Sequence, residues 1–234
     1  VSVGGLAPQT VVHIHNIINP ALAAACDNDL IRKNPAEKIG KGKQKLLKIK
    51  RTREIRTLCI DEVGKYLDQL INHRLYALFN VDLCIGLRRG ELLGLWWSDF
   101  NIEEHEVSIN RQVQRIKKED GSGSYLGYTD LKTPAAYRTI KLPLAAYNAL
   151  IEHKERQEAE KAKAGKGYLD EDLIFCTPIG KMIEPRRIYS IHCKALKSAE
   201  IPHTAFHNIR HTVATLLLRD GESAKSLQEL LGHA

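Results

Sequence analysis

Three short segments of this 234-residue chain hold side chains whose types and spacing could do chemistry. In Gly86-Leu87-Arg88-Arg89-Gly90-Glu91, an arginine stands between glycines at the start of an expected helix. Backbone N–H groups at a helix start, with a guanidinium beside them, suit a phosphate. In His207-Asn208-Ile209-Arg210-His211, His207 and Arg210 are three residues apart and therefore share a helix face. Leu230-Leu231-Gly232-His233 is a helix stop followed by a histidine. The His207/His211 pair at i, i+4 also raises a zinc site. However, Asn208 stands where a zinc-protease helix carries its glutamate base, and no clear third ligand follows.

Charge adds a fourth feature. Lys and Arg number 35 against 28 Asp and Glu, a formal charge of +7. Between Arg32 and Arg56 there are eleven basic residues and only Glu37 and Glu54 to oppose them, so this stretch carries +9 and the remainder −2. Gly40, Gly42 and the lack of a helical period make it a linker. Charge alone leaves two readings open, a solvated spacer or a strap along a polyphosphate that releases counterions.

The elements that must position these groups follow from periodicity. Thr10–Leu30 reads as a helix that Pro20 should kink or split. Asn34-Pro35-Ala36-Glu37 reads as a short helix start. After the linker, helices are expected over about 60–71, 74–84 and 88–95. A strand is expected over 106–116, a turn at 120–124 and a strand over 138–142. A charged helix over 144–163 and a short strand over 172–177 come next. Helices over about 185–199, 207–219 and 223–231 complete the order. This is an α+β arrangement, mostly helical with a small antiparallel β-sheet, preceded by the end of a helical domain. A hydrophobic content of 43% supports a core and excludes collagen, a disordered tail or a coiled-coil rod. The most apolar window, Leu75 to Leu87, is interrupted by Asn80 and Asp82, so no membrane span is expected. Five widely spaced cysteines, an odd number, read as reduced thiols in a cytoplasmic protein.

Four motifs in this order, GLRRGELLGLWWSDF, LKTPAAYRTIKLP, FHNIRHTVATLLL and LQELLGHA, resemble the tyrosine recombinases of phages and conjugative transposons, the phage-integrase family. The resemblance covers nearly the whole chain. It implies a C-terminal part of a core-binding, DNA-binding domain over 1–39, a basic interdomain linker over 40–53 and a catalytic domain over 54–234. It further implies site-specific cutting and rejoining of double-stranded DNA through a 3′-phosphotyrosine, without metal or nucleotide cofactor, in the integration or excision of a mobile element.

Carried over residue by residue, Arg88 matches the family's first arginine, Lys132 its lysine, His207 and Arg210 its histidine–arginine pair, and His233 its final histidine. Arg88 and Arg210 would clamp the scissile phosphate and His233 would donate to it. Lys132 would protonate the leaving 5′-oxygen, and His207 would assist proton movement or hold the phosphate. The resemblance turns the linker into a DNA-binding strap of Lys41, Lys43, Lys45, Lys48, Lys50, Arg51 and Arg53. It also implies a homo-tetramer on two duplexes that exchanges C-terminal segments in trans. The family's tyrosine lies about nine residues beyond the final histidine, and none of the eight tyrosines here holds that position. With Val1 first, Met182 the only methionine and Ala234 last, the chain reads as an internal portion of a longer protein. Two other classes stay open: a DNA-binding regulator with this fold and no catalysis, and a metal hydrolase on His207 and His211. Glu91 is expected to support Arg88 or its neighbours electrostatically without doing chemistry, and Arg186 and Arg187 either to touch DNA backbone or to form a solvated face.

Overall fold

A computed structural model describes residues 6–39 and 55–232. It divides into two units, one up to Glu54 and one from Ile55 onward. The basic linker residues 40–53 and the terminal His233 lie outside the described residues.

The first unit is built on α1 (Pro8–Asp27), which begins with proline in its first turn, where a missing N–H costs nothing. The helix runs through Pro20 unbroken. The expected split does not occur, and the lost ladder bond at that point is tolerated within a 20-residue helix. Asn34 ties the returning chain to the helix. Its amide donates to the Asn19 carbonyl at 3.1 Å, and its Oδ1 accepts from the Ala36 N–H at 2.9 Å. A single 3₁₀ turn, Glu37–Ile39, follows. Ile14, Ile17 and Ile18 on α1 are exposed.

The second unit is centred on α3 (Tyr76–Ile85), preceded by the amphipathic α2 (Ile60–Asp68). Leu78, Phe79, Val81 and Ile85 are all buried, as a helix that is apolar all round requires. α3 packs against α5 (Leu144–Ala164) and α7 (Asn208–Arg219). Between α3 and α5 come the short α4 (Arg89–Leu93) and five strands. These are β1 (Phe100–Asn101), β2 (Glu106–Ile109), β3 (Gln112–Lys117), β4 (Ser124–Thr129) and β5 (Arg138–Lys141). β1, β2 and β5 form one antiparallel sheet with β2 central, Val107 opposite Ile140. β3 and β4 form a separate hairpin. α6 (Pro185–Ser198) precedes α7, and α8 (Ala224–Leu231) follows it. The α+β architecture is as expected. No helix among the described residues is long and apolar enough to cross a membrane.

Three expectations are corrected. The single strand over 106–116 is two strands in different sheets. The break falls at Asn110 and Arg111, which turn to grip Asp99; the Asn110 amide donates to Asp99 Oδ1 at 2.8 Å, and Arg111 pairs with the same carboxylate while stacking on Trp96 at 3.7 Å. β4 was not anticipated, because its burial does not alternate cleanly. The apolar run over 172–177 is no strand. It makes isolated bridges at Leu173 and Cys176, while side chains satisfy its buried carbonyls: Gln157 to Leu173, His153 to Ile174 and Arg74 to Cys176.

Candidate active site

The local sequence explains how each group is placed. α3 ends at Gly86, which takes the left-handed conformation (φ +63°) that a side chain rarely adopts. A Cβ there would meet Leu231 Cδ2 at 3.1 Å and Val213 Cβ at 3.3 Å, so α7 and α8 close directly over the turn. Arg88 then caps α4, its N–H donating to Glu91 Oε2 at 3.1 Å. Gly90 lets α4 lie against β3, for a Cβ there would stand 2.9 Å from the Val113 carbonyl oxygen.

Glu91 is buried, with its side chain 1% exposed, and is shared by two arginines. Arg88 Nη1 donates to Oε1 at 2.6 Å and Arg138 Nη2 to Oε2 at 3.0 Å. Burial alone would raise the Glu91 carboxyl. The charge of Arg138 and hydrogen bonds from both arginines outweigh it and hold the group below the usual glutamate value.

The C-terminal end of α8 collects the cations. Arg138 Nε donates to the Leu230 carbonyl at 2.7 Å, Arg210 Nη2 to the Leu231 carbonyl, and Arg88 Nη2 to the Gly232 carbonyl at 3.3 Å. Three guanidiniums thus meet three successive carbonyls, the negative end of the helix dipole. Arg210 is buried and also donates to the Gly86 carbonyl at 2.9 Å. Burial, then the nearby charge of Arg88, lowers its guanidinium to about 10. Asp82 lies beneath it, fully buried. Desolvation pushes that carboxyl well up despite the attraction of Arg210, and Oδ1 has no hydrogen-bond partner among the described residues.

Arg88 faces a cleft of about 960 Å³. Lys132 also lines this cleft, exposed on the loop between β4 and β5. The loop is held at its base by Gln112, whose amide donates to the Asp130 carbonyl at 2.9 Å, and by the buried Leu131 and Ala136. Gly232, immediately before His233, and Arg186, at the start of α6, also line it. At its mouth Arg115 on β3 pairs with Glu184 on the cap of α6, both half-exposed, so the pair contributes little to stability.

Of the sequence candidates, Arg88 and Lys132 therefore share one cleft, and Arg210 stands behind Arg88, joined to it through adjacent carbonyls. His207 precedes α7 at its exposed cap, one turn ahead of Arg210, with its ring edge-on to His211 at 5.4 Å. Lys141 borders a different hollow, beside Pro143 and Leu217. Among the described residues no group of three His, Cys, Asp or Glu converges as a metal site. Arg138 escaped the sequence reading, which saw only the start of a strand. Its signal was an arginine at the first position of β5, directly after the lysine loop.

A family model described as the phage integrase family matches residues 55–234. A protein of Caldanaerobacter subterraneus subsp. tengcongensis, described as tyrosine recombinase XerC-like, is 34% identical over 241 residues, covering 98% of this chain. The chain spans 60% of that relative's length. Among solved structures, the Tn1549 transposon integrase in complex with a circular intermediate DNA superposes with a TM-score of 0.78 at 23% identity. That match covers 98% of this chain and 73% of the integrase. A lambda integrase tetramer bound to a Holliday junction gives a TM-score of 0.61 at 18% identity, covering 94% of this chain and 57% of the other. These likenesses are of fold.

Proposed function

This chain belongs to the phage integrase family, and from that premise we propose that the protein is a site-specific DNA recombinase acting through a 3′-phosphotyrosine. The observation that carries the reading is the cleft lined by both Arg88 and Lys132, with Arg210 joined to Arg88 through adjacent carbonyls at the end of α8. A phosphodiester under attack gathers negative charge on its non-bridging oxygens. Fixed guanidiniums stabilise that charge without reorganising. Arg88, 40% exposed, reaches the phosphate from the cleft wall. Arg210 uses two donors on carbonyls and supports the field from beside Arg88, with three of its five N–H groups not engaged by the described residues.

The nucleophile is a tyrosine outside these 234 residues. Its oxygen bonds to phosphorus, the bond to the 5′-oxygen breaks, and Lys132 delivers the proton that makes the leaving group a neutral hydroxyl. His207 assists the tyrosine proton or steadies the phosphate, and His233 donates to a non-bridging oxygen. Reversal by the 5′-hydroxyl of another strand rejoins the DNA and conserves the bond energy, so no nucleotide is consumed. The residues from Lys41 to Arg53 act as a strap on the duplex backbone between a core-binding domain (1–39) and the catalytic domain (54–234). The working assembly is a homo-tetramer on two duplexes with C-terminal exchange in trans, for which the lambda integrase tetramer offers a precedent of fold. The protein acts in the cytoplasm on double-stranded DNA, at the ends or attachment sites of a mobile element.

The decisive experiment incubates the full-length protein with a nicked duplex of its core site, from which the 5′-hydroxyl fragment diffuses away. A covalent protein–DNA adduct at a tyrosine is expected. Its absence, with DNA bound, would reject the assignment.

A further inference from the structure

Arg138 has no place in the reaction just described, yet it is the most thoroughly engaged cation beside the cleft. Its side chain is 8% exposed, and all three of its nitrogens donate: Nε to Leu230, Nη1 to the Ala136 carbonyl at 2.8 Å, and Nη2 to Glu91. A carboxylate beside a guanidinium ordinarily closes two parallel N–H···O bonds and cancels the charge. Glu91 and Arg88 do not close that fork. Only Nη1 of Arg88 meets Oε1, because Oε2 is taken by Arg138 and by the Arg88 backbone N–H. One negative charge is therefore divided between two positive ones, leaving this trio with a net unit of positive charge. Arg138 is buried, so the surplus is presented at Arg88, on the cleft wall.

We propose that Arg138 is a positioning residue: by sharing Glu91 it keeps the charge and outward donors of Arg88 available to a phosphate in the cleft. Its bonds to Leu230 and Ala136 hold it to that task and join the lysine loop to the last turn of α8. Without it, Glu91 swings both oxygens onto Arg88 and neutralises it. The identity of the phosphate as a scissile DNA group rests on the recombinase reading; the charge sharing does not.

The test titrates inorganic phosphate into the 234-residue chain by calorimetry. Arg138→Met should weaken binding at least about tenfold, the effect of one nearby unit charge at protein-surface dielectric. Adding Glu91→Gln to Arg138→Met should restore most of it, since the carboxylate that would sequester Arg88 is gone. Arg138→Lys, which keeps a cation on Oε2, should stay within about threefold of the unsubstituted chain. Lys225→Met removes an exposed cation from the face beside Arg138 and controls for a general loss of charge, with a change under about twofold. If Arg138→Met does not fold, Arg138→Gln, which retains a donor for the Leu230 carbonyl, takes its place. Undiminished binding by Arg138→Met, a double variant no better than the single, or a Lys225→Met effect of equal size would overturn the proposal. So would a lack of measurable phosphate binding by the unsubstituted chain. Adduct formation on the nicked duplex by the full-length variants should follow the same order. Phosphate affinities in that order, with no adduct from any protein, would sink the recombinase reading and leave the charge sharing standing.

Discussion

Replacing Glu91 by alanine removes the one buried anion that two arginines depend on, and its cost can be worked from the contacts. The larger part is Arg138, whose side chain is 8% exposed and loses its only carboxylate partner among the described residues. Breaking a buried pair in this way costs about 3–5 kcal/mol. The Arg88 arm is 40% exposed, so solvent screens its loss to at most ~1 kcal/mol. The released Arg88 N–H finds water at the cleft wall and adds little. A total of about 4 kcal/mol is a large share of the ~5–15 kcal/mol that holds a domain together. It should lower the melting temperature by about 8–16 °C for a unit of this size.

Linkage supplies a second readout of the same substitution. The Glu91 carboxyl sits below its ordinary value in the folded protein, so its contribution is fully present above the unfolded glutamate pKa of about 4.3. That contribution is lost as pH falls through the folded value. Urea unfolding of both proteins from pH 7 downward should give a constant stability gap to about pH 5, and a narrowing gap below it. A gap under about 1 kcal/mol at pH 7, or one that narrows between pH 7 and 5, would refute the ion-pair reasoning.

Four further outcomes are expected. Gly86→Ala forces a side chain into the left-handed region against Leu231 and Val213, and should cost at least about 1–2 kcal/mol by thermal melting. Asp82→Asn preserves the shape of a fully buried side chain whose carboxyl burial has pushed up. That acid resists ionising in the folded state, so it opposes folding increasingly as pH rises above the unfolded aspartate value. The amide should therefore be neutral or stabilising at pH 7 and lose that advantage in acid, which paired denaturation curves at pH 7 and 4 would reveal. Lys132→Ala should lower cleavage of the nicked duplex by about 10²–10⁴-fold. A bridging 5′-sulfur, which leaves without a proton, should restore much of that rate, and failure of the rescue would deny Lys132 the acid role. Finally, if about six residues of the basic strap meet phosphates, duplex affinity should fall by roughly three decades between ~50 and ~200 mM salt. A flat response would make the segment a spacer.

The relation between reach and error is visible in particular elements. α5 and α8 were placed closely from sequence, because a helix is a local structure whose period, caps and stops lie within a few residues. Ser223 as the cap of α8 and Gly232 as its stop are both legible without a fold. Strands were less so. Whether Asn110 and Arg111 continue β2 or break away depends on Asp99, and whether 172–177 pairs as a strand depends on Gln157, His153 and Arg74. Neither dependence leaves a periodic trace.

For the candidate site the division follows the same physics. Residue types and spacing suggest a phosphate site at arginines, resemblance to a known family proposes five matching residues, and the charge count locates the basic stretch. None of these needs coordinates. Tertiary structure alone decided that Arg88 and Lys132, far apart in sequence, share one cleft. It also decided that three arginines end on three successive carbonyls of α8, and that Arg138 and Arg88 divide a single carboxylate. The charge a guanidinium presents is set by what else its counter-ion touches, and that partner comes from wherever the fold brings it.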